Sequence, residues 1–315
     1  TSAATGMGII SSVLCSLVDP GERVVSIKDT YGGTTVLFQE FLPRQGVTAA
    51  LCDTTDHDAI EEEIAKGCKL LYLETPTNPT IKILDIERLA KAGHKAGAIV
   101  VVDNTFATPI NQNPVELGAD LVLHSATKFL GGHADALGGV VCGKAELVKK
   151  VYHYREINGA ALAPMSAYLL LRGMKTLSLR INRQNENALA IARFLEAHPS
   201  IDRVFYPGLE SHPGHTIARR QMRGFGGMMS FSLKGESLEA ANRFLRRLRL
   251  AHKAANLGAV ETIAGVPATT SHVECTAEER KALGIPETLI RYSVGIEDVQ
   301  DLMDDLAQAL NGPGL

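Results

Sequence analysis

The sequence predicts an α/β protein with a mostly parallel β-sheet in its first part and a smaller α+β unit in its last part. Between residues 6 and 142, short apolar stretches alternate regularly with stretches of helical spacing. Several of the short stretches, such as residues 98–102 (AIVVV), are apolar at every position, which is typical of parallel strands buried on both faces. We therefore expect a large domain at residues 1–198 and a smaller C-terminal domain at residues 199–315.

The individual elements follow from spacing and from turn residues. Strands are predicted at residues 23–27, 47–51, 69–73, 98–102, 121–123, 139–142, 228–233 and 289–294. Helices are predicted at residues 6–18, 34–42, 56–66, 85–96, 238–250 and 299–310, with a long, mostly helical stretch at 164–198. The turn-rich residues 206–215 mark the passage into the second domain, and residues 256–272 are expected to be irregular.

Composition narrows the classes of partner. The 315 residues are 45% hydrophobic and 21% charged, and the formal net charge of -3 favours neither nucleic acid nor an anionic membrane as a partner. No uncharged stretch supplies the ~20 apolar residues that a membrane-spanning helix needs. A small-molecule substrate is the expected partner.

The cysteines and the N-terminus indicate the cellular setting. Five scattered cysteines without a CxxC pair predict neither a disulfide framework nor a zinc site, and they favour a reducing, cytoplasmic setting. The cysteines are Cys15, Cys52, Cys68, Cys142 and Cys275. The chain opens at Thr1 without an initiator methionine or a signal peptide, so we expect a further segment to precede it in the full gene product.

Two short motifs resemble binding sites but lack what those sites require. Residues 138–144 (GGVVCGK) match the core of a phosphate-binding loop, yet Ala145 stands in place of the required Ser or Thr and the middle residues favour a strand. His212 and His215 in HPGH lack the helical register and the glutamate of a zinc protease, so we expect a turn and no metal site.

Lys128 is the residue on which the functional prediction is built. It is the only fully charged residue between Asp120 and Asp135, and it follows an apolar stretch with the pattern of a buried strand. Burial disfavours an ammonium group, which lowers the pKa of a lysine and makes its free amine available for Schiff-base chemistry. A surface lysine at a strand end is the alternative.

Asp103 ends the most hydrophobic predicted strand, where a carboxylate needs a cation or hydrogen-bond donors to offset its desolvation. One interpretation is a capping aspartate bonded to nearby backbone. The other is an aspartate that faces the protonated ring nitrogen of a heteroaromatic cofactor. Together with a lysine after a later strand, this is the arrangement that a pyridoxal phosphate enzyme needs.

Further residues could supply what that cofactor requires. A helix N-terminus and two hydroxyl groups would bind its phosphate, through Gly6, Met7, Ser125 and Thr127. Tyr31, which is followed by two glycines, is the best candidate to cover its ring in a chain without tryptophan. Arg291, in a predicted strand, would bind the substrate carboxylate through both of its terminal nitrogens.

The motifs that contain these residues resemble the Cys/Met-metabolism pyridoxal phosphate enzymes. This family includes cystathionine γ-synthase, cystathionine γ-lyase, methionine γ-lyase and O-acetylhomoserine sulfhydrylase. The motifs are TGM at 5–7, YGGT at 31–34, ETPTNP at 74–79, VDNTFATP at 102–109, HSATKFLGGH at 124–133, YLLLRGMKTL at 168–177, YPGL at 206–209 and RYSVGIED at 291–298. The resemblance covers essentially the whole chain and implies an aspartate-aminotransferase-like fold (fold type I).

The resemblance also implies a role for each site residue. Lys128 would form the Schiff base with pyridoxal 5'-phosphate and move protons between Cα and Cβ of the substrate. Asp103 would keep the pyridine nitrogen protonated, and Tyr31 would stack on the ring and assist the departing γ-substituent. The other cofactor-binding residues would be Gly6, Met7, Asn78, Thr105, Ser125 and Thr127. The substrate-binding residues would be Asn78, Asn256, Leu257, Glu261 and Arg291.

The implied reaction is γ-elimination or γ-replacement on a sulfur-containing or homoserine-derived amino acid. The implied assembly is a homotetramer, a dimer of dimers with shared active sites. In the family, a Tyr and an Arg from an N-terminal arm complete the phosphate site of the neighbouring subunit, and that arm is absent from this sequence. A cofactor-free homologue is the alternative from another class.

Departures from the family pattern bear on the substrate. Asn256 stands where Ser is common, and Val266 stands where His is usual. Gly33 occupies the position at which methionine γ-lyases resembling this chain tend to carry cysteine. The absence of that cysteine, together with the presence of Glu261, ranks a cystathionine-type γ-synthase or γ-lyase first. Methionine γ-lyase, the sulfhydrylase and γ-substitution in a specialised biosynthetic pathway stay open.

Overall fold

The computed structural model describes residues 1–235, 237–270 and 276–312. Cys275, the end of the predicted irregular stretch and the last three residues of the predicted second domain lie outside the described residues. The strands are β1 (Ser2–Ala3), β2 (Arg23–Ile27), β3 (Thr48–Cys52), β4 (Leu70–Glu74), β5 (Ile99–Asp103), β6 (Leu121–Ser125), β7 (Gly139–Gly143), β8 (Ile201–Phe205), β9 (Met228–Leu233), β10 (His252–Lys253), β11 (Ile263–Gly265) and β12 (Leu289–Ser293).

Thirteen α-helices lie in the described residues, together with a π-helical turn at Leu37–Phe41 and 3₁₀ turns at Pro114–Leu117 and Pro267–Thr269. The α-helices are α1 (Gly6–Leu17), α2 (Gly32–Val36), α3 (Leu42–Arg44), α4 (His57–Ala65), α5 (Ile86–Lys95), α6 (Thr108–Asn111), α7 (Ala145–Asn158), α8 (Pro164–Met174), α9 (Leu177–Glu196), α10 (His215–Gln221), α11 (Leu238–Arg247), α12 (Ala277–Ala282) and α13 (Val299–Leu310).

The first sheet has seven strands in the order β1-β7-β6-β5-β4-β2-β3. Strands β2, β3, β4, β5 and β6 are parallel to one another. Strand β7 is antiparallel to β6, and β1 is antiparallel to β7. Ile9 of α1 and Val151 of α7 pack in the core on one face, and Ile60 of α4 and Leu89 of α5 pack in the core on the other. The prediction of a mostly parallel sheet with helices on both faces is confirmed.

The parallel register determines where the site can form. Glu74, the last residue of β4, lies opposite Asp103, the last residue of β5, and Asp103 lies opposite Leu123 of β6. The carboxyl ends of these strands therefore share one edge of the sheet, where ligands bind in open α/β folds. Two residues further on, β6 ends at Ser125 and the chain turns into the loop that carries Lys128.

The second sheet has five strands in the order β10-β11-β12-β9-β8. Its central strands are antiparallel, and α9, α11 and α13 contribute side chains to one core with them. Ile191 and Leu195 of α9 are buried in this core although they precede residue 199. The domain boundary between residues 198 and 199 stays a prediction.

Several elements differ from the sequence predictions. Helix α7 was not predicted, because only Val151 among its 14 residues is buried and its apolar pattern is weak. The predicted helix at 34–42 consists of α2, the π-helical turn and the start of α3. His215 begins the short helix α10 rather than lying in a turn. No helix in the described ranges combines the length and apolar composition needed to cross a membrane.

Candidate active site

A cavity of about 450 Å³ lies at the carboxyl edge of the first sheet. Residues from the N-terminus of α1, the ends of β4, β5 and β6, and the second sheet line it together. The lining residues with a predicted role are Gly6, Met7, Tyr31, Gly33, Asn78, Asp103, Thr105, Ser125, Thr127, Lys128, Leu257 and Arg291. The fold therefore brings residues more than 280 positions apart in the sequence, such as Gly6 and Arg291, to one site.

Lys128 places its amine inside this cavity. Its backbone N–H donates to Ser125 O at 3.1 Å, which fixes the start of the loop after β6. Its Nζ donates to Asn256 Oδ1 at 2.7 Å. Burial, followed by the neighbouring charge of Arg291, lowers the pKa of Lys128 to about 8. A sizeable fraction of the amine is therefore neutral near physiological pH, as a proton-transferring amine requires.

Asp103 is buried and accepts hydrogen bonds without an ion pair among the described residues. Thr105 donates its backbone N–H at 3.0 Å and its hydroxyl at 2.6 Å to Asp103 Oδ1, and the Tyr72 hydroxyl donates to Oδ2 at 3.3 Å. Burial raises the pKa of Asp103, against the effect of these hydrogen bonds. A cation bound beside Oδ2 would stabilise the carboxylate, and a protonated ring nitrogen is such a cation.

Glu74 is a cavity residue that the sequence analysis quoted in a motif but did not assign to the site. Its Oε2 accepts the backbone N–H of Tyr31 at 2.9 Å, so it fixes the residue that begins the α2 turn. Burial and, after it, the charge of Asp103 raise the pKa of Glu74 well above its ordinary value. The available signal was that two adjacent predicted strands, at 69–73 and 98–102, are each followed by an acidic residue.

The N-terminus of α1 supplies backbone donors. Thr5 caps the helix by accepting the Gly8 N–H at 2.9 Å, while Gly6 and Met7 lie at the cavity wall. A Cβ on Gly6 would lie 2.9 Å from the Ser125 Oγ, so glycine is needed for this close approach. Among the described lining residues, Lys128 and Arg291 are the only two with cationic side chains. Within the described part of the cavity wall, an anion therefore meets a helix N-terminus and no cationic side chain other than these two.

Arg291 of β12 is buried without a carboxylate partner among the described residues. Its Nη1 donates to Asn78 Oδ1 at 3.1 Å. Its Nη2 donates to Ala255 O at 3.2 Å and to Asn256 O at 3.4 Å. Burial lowers the pKa of Arg291 to about 10. A bound carboxylate would offset this desolvation and match the planar guanidinium.

The remaining predicted site residues lie as follows. Tyr31 is 49% exposed at the mouth of the cavity. The Thr127 hydroxyl is engaged with Gly138, at 3.0 Å to its N–H and 3.2 Å to its carbonyl oxygen. Glu261 is exposed and is not among the described lining residues, so the structure does not bring it to the site. Its contact with the substrate stays a prediction.

The residues fit pyridoxal phosphate. The cavity combines an amine with a lowered pKa, a buried carboxylate that forms no ion pair among the described residues, the N-terminus of a helix and an exposed aromatic ring at its mouth. In a fold with a mostly parallel sheet, this set of groups defines the class of a pyridoxal phosphate-dependent enzyme of fold type I.

Comparison with known proteins identifies the family within that class. The family model for "Cys/Met metabolism PLP-dependent enzyme" matches residues 1–311. The chain is 44% identical to L-methionine gamma-lyase of Fusobacterium nucleatum subsp. polymorphum over 98% of this chain and 79% of that protein. It is 45% identical to cystathionine gamma-lyase of Bacillus subtilis (strain 168), over 98% of this chain and 80% of that protein. The chain belongs to this family.

Further relatives agree with this assignment. Cystathionine gamma-synthase 1, chloroplastic, of Nicotiana tabacum is 45% identical over 98% of this chain and 57% of its own length. The crystal structure of cystathionine gamma synthase from Xanthomonas oryzae pv. oryzae in complex with cystathionine superposes with a TM-score of 0.95 at 42% identity, covering 98% of this chain and 80% of that one. The predicted fold class, enzyme class and cofactor are confirmed, and the predicted γ-elimination or γ-replacement agrees with these relatives.

Proposed function

We propose that this chain catalyses γ-elimination or γ-replacement on cystathionine or on an activated homoserine, with pyridoxal phosphate as cofactor. The observation that carries the proposal is the connection of Lys128 and Arg291 through one residue. Asn256 accepts from the Lys128 amine through its side chain and from Arg291 through its backbone oxygen. A group that removes a proton from Cα and a group that binds the α-carboxylate are thereby held next to each other.

Cofactor binding is proposed to use the groups that line the cavity. When bound, pyridoxal phosphate supplies an electron sink for the carbanion formed at Cα. The backbone N–H groups of Gly6 and Met7 and the hydroxyl of Ser125 would bind its phosphate, because a helix N-terminus carries about half a positive charge. Asp103 would hold the proton on the ring nitrogen, and Thr105 would hold Asp103 in place through its two hydrogen bonds.

Lys128 is proposed to move the protons. With a pKa of about 8, its Nζ can accept a proton from Cα near neutral pH and, once it has released that proton, accept one from Cβ, which allows the γ-substituent to leave. Asn256 orients this Nζ through the 2.7 Å hydrogen bond. Arg291 and Asn78 would fix the substrate carboxylate so that Cα faces Nζ.

The proposed ranking of substrates draws on Gly33. A Cβ at this position would lie 2.9 Å from Met7 Sδ and 3.1 Å from the Tyr31 ring. A cysteine could be accommodated there only if Met7 moved. The glycine itself, in place of a cysteine, supports a cystathionine-type activity over a methionine γ-lyase of the kind that carries cysteine at this position. The 44% identity to a methionine gamma-lyase keeps that activity as the second candidate.

A product analysis tests the proposal. The purified protein should be yellow with pyridoxal phosphate, and borohydride should fix the cofactor to Lys128. It is then incubated with cystathionine, methionine, O-acetylhomoserine and O-succinylhomoserine, with and without cysteine, and products are identified by mass. We expect cystathionine cleavage or formation to be fastest. Keto-acid release from methionine as the fastest reaction would favour the second candidate, and no reaction at all would refute the proposal.

We further propose that the protein is a cytoplasmic homotetramer, a dimer of dimers with shared active sites. Large apolar side chains are exposed on α7 to α9, which is a surface that a second copy would cover. They are Ile157, Met165, Tyr168, Leu171 and Leu179. The four cysteines in the described residues are unpaired, which supports a reducing compartment. Light scattering after size-exclusion chromatography should give four times the chain mass.

A further inference from the structure

Arg180 is a buried cation outside the set of residues assigned above. It lies in the first turns of α9 and is 4% exposed. Its Nη1 donates to Phe129 O at 2.8 Å, and its Nη2 donates to Leu130 O at 3.3 Å and to Gly173 O at 3.0 Å. Its Nε donates to Thr176 Oγ1 at 3.1 Å. Two of these acceptors belong to the residues that directly follow Lys128.

The position of this charge is unfavourable by itself. Arg180 has no carboxylate partner among the described ion pairs, and burial lowers its pKa. It also lies near the N-terminus of a 20-residue helix, where the helix dipole disfavours a cation. A buried charge without a counter-ion persists when its hydrogen bonds offset the desolvation. Those hydrogen bonds go to the loop after Lys128, to the end of α8 and to Thr176.

The loop after Lys128 depends on these bonds. Backbone pairs close the loop from Gly131 N to Ala126 O at 2.9 Å and from Gly132 N to Lys128 O at 2.8 Å. Neither pair uses the carbonyl groups of Phe129 and Leu130, whose residues are both buried. Arg180 supplies the donors that these carbonyl groups need in the absence of water.

One glycine makes room for the guanidinium, and a second lets α8 pack against the loop. Gly132 has φ +74, and a Cβ there would lie 2.0 Å from Arg180 Nη1. A Cβ on Gly173 would lie 2.1 Å from Gly131 O, so α8 packs backbone against backbone on the loop. Any side chain at either position would displace the guanidinium or the loop. Glycine is therefore required both in the loop after Lys128 and in α8, where these two segments pack around Arg180.

We propose that Arg180 is a positioning residue for the proton transfer at Lys128. Its guanidinium fixes the backbone of residues 129 and 130, and this fixes the direction in which the Lys128 side chain enters the cavity. The inference rests on the proposed function, because it assigns the Lys128 amine a reaction that needs alignment.

Kinetics of Arg180→Lys and Arg180→Ala test the proposal against Arg183→Gln. Arg183 lies one turn further along α9, has a side chain that is 41% exposed and pairs weakly with Glu186 at 3.9 Å, so it is a matched control. In Arg180→Lys, kcat should fall about 100-fold with KM nearly unchanged, since a shift of ~1 Å in a reacting group costs about that much. Methylguanidine should restore part of the lost kcat in Arg180→Ala, because it can refill the site.

A second measurement needs no turnover. In the protein without pyridoxal phosphate, the pH dependence of Lys128 acylation reports the pKa of its amine. Wild type and Arg183→Gln should give a Lys128 pKa of about 8. Arg180→Lys should give a higher pKa, because a loosened loop admits water and reduces the desolvation that lowers it. Circular dichroism gives the folded fraction to which each rate is referred.

The outcomes separate the two proposals. If Arg180→Lys folds and retains the wild-type kcat and acylation profile, with only a lower melting temperature, Arg180 has a structural role alone and the inference is wrong. If Arg180→Ala does not fold, the kcat and the acylation profile of Arg180→Lys still test the inference. If wild type and Arg183→Gln turn over none of the substrates, the proposed function fails, while the acylation profiles still test the effect of Arg180 on Lys128.

Discussion

Arg180 and Arg291 are equally buried, at 4% exposed each, but their surroundings differ. The bonds of Arg180 go to backbone carbonyl oxygens and one hydroxyl away from the cavity. Arg291 lines the cavity, and its bonds to Asn78 and to two backbone oxygens are 3.1 to 3.4 Å long. All four hydrogen bonds of Arg180 serve the fold, whereas Arg291 lies in the cavity wall and keeps donors available to a ligand.

The difference explains why one enzyme site uses two such costly charges. Lys128 lies between them, with the backbone that follows it held by Arg180 and its Nζ linked through Asn256 to the Arg291 region. We infer that Arg180 sets geometry and Arg291 sets substrate affinity.

Removing the amine should have the largest effect. Lys128→Ala should lower kcat by about 10⁴-fold, since it removes a positioned acid–base group and the covalent attachment of the cofactor. Steady-state rates with the preferred substrate, measured with saturating pyridoxal phosphate, check this. Lys144→Ala is the control, because Lys144 is exposed, is not among the described lining residues and pairs with the buried Asp120. Activity of Lys128→Ala within tenfold of wild type would contradict the assignment.

Crowding the guanidinium of Arg180 should have the next largest effect, and it acts on stability. Gly132→Ala should destabilise the protein by about 3 to 4 kcal/mol, through positive φ and a clash with Nη1 together. Gly67→Ala is the matched control: its φ is +112 and nothing lies within 4 Å of the new Cβ. It should cost only about 1 to 2 kcal/mol. Urea unfolding of both variants measures the difference in their free energies of unfolding. An equal loss of stability in both would show that the loop rearranges to accept the new side chain.

The lowered pKa of Lys128 predicts a stability that depends on pH. In the protein without cofactor, the pKa falls from 10.5 in the unfolded chain to about 8 in the folded one. Between these values the unfolded chain binds more protons, so this lysine destabilises the fold increasingly as pH falls from 10.5 to 8, and constantly below 8. Lys128→Met should therefore be more stable than wild type by up to about 3 kcal/mol at pH 7.

The pH dependence of that difference is the decisive measurement. The stability advantage of Lys128→Met over wild type should shrink as pH rises from 8 to 10.5 and disappear above 10.5, where the folded and unfolded amines are both mostly neutral. The tyrosines that titrate in this range are present in both proteins, so they cancel in the difference. An advantage that is independent of pH would show that packing, rather than charge, separates the two proteins.

The sequence predicted the parts of the site that follow a strand end. Asp103 and Lys128 were found because a polar residue after an apolar run is conspicuous, and parallel strands bring such residues to one edge. Arg180 was missed because it lies in a long helix among other polar residues, and its partners are carbonyl oxygens that carry no sequence signal. Helix α7 was missed for a related reason, since a helix with one buried residue has little apolar periodicity.

The second sheet shows the limit of the sequence prediction in another way. The strand at 289–294 was predicted, but the burial of Arg291 depends on residues 255 and 256, which approach from an irregular segment. Glu261, five residues further on, was grouped with them by resemblance, yet it is exposed and outside the described cavity wall. Short-range spacing does not determine which residues of an irregular segment face a ligand.

Replacing Arg291 by lysine should give the smallest of these effects and the opposite kinetic pattern to Arg180→Lys. The ammonium keeps the charge but loses the planar pair of donors, which is worth about 1.5 to 3 kcal/mol for a charged partner. We therefore expect KM to rise about 10- to 100-fold with kcat changed much less. Arg203→Lys on β8 is the control, because Arg203 is exposed in the same sheet. If Arg291→Lys instead lowered kcat at constant KM, both arginines would act on alignment, and the division between geometry and affinity would be wrong.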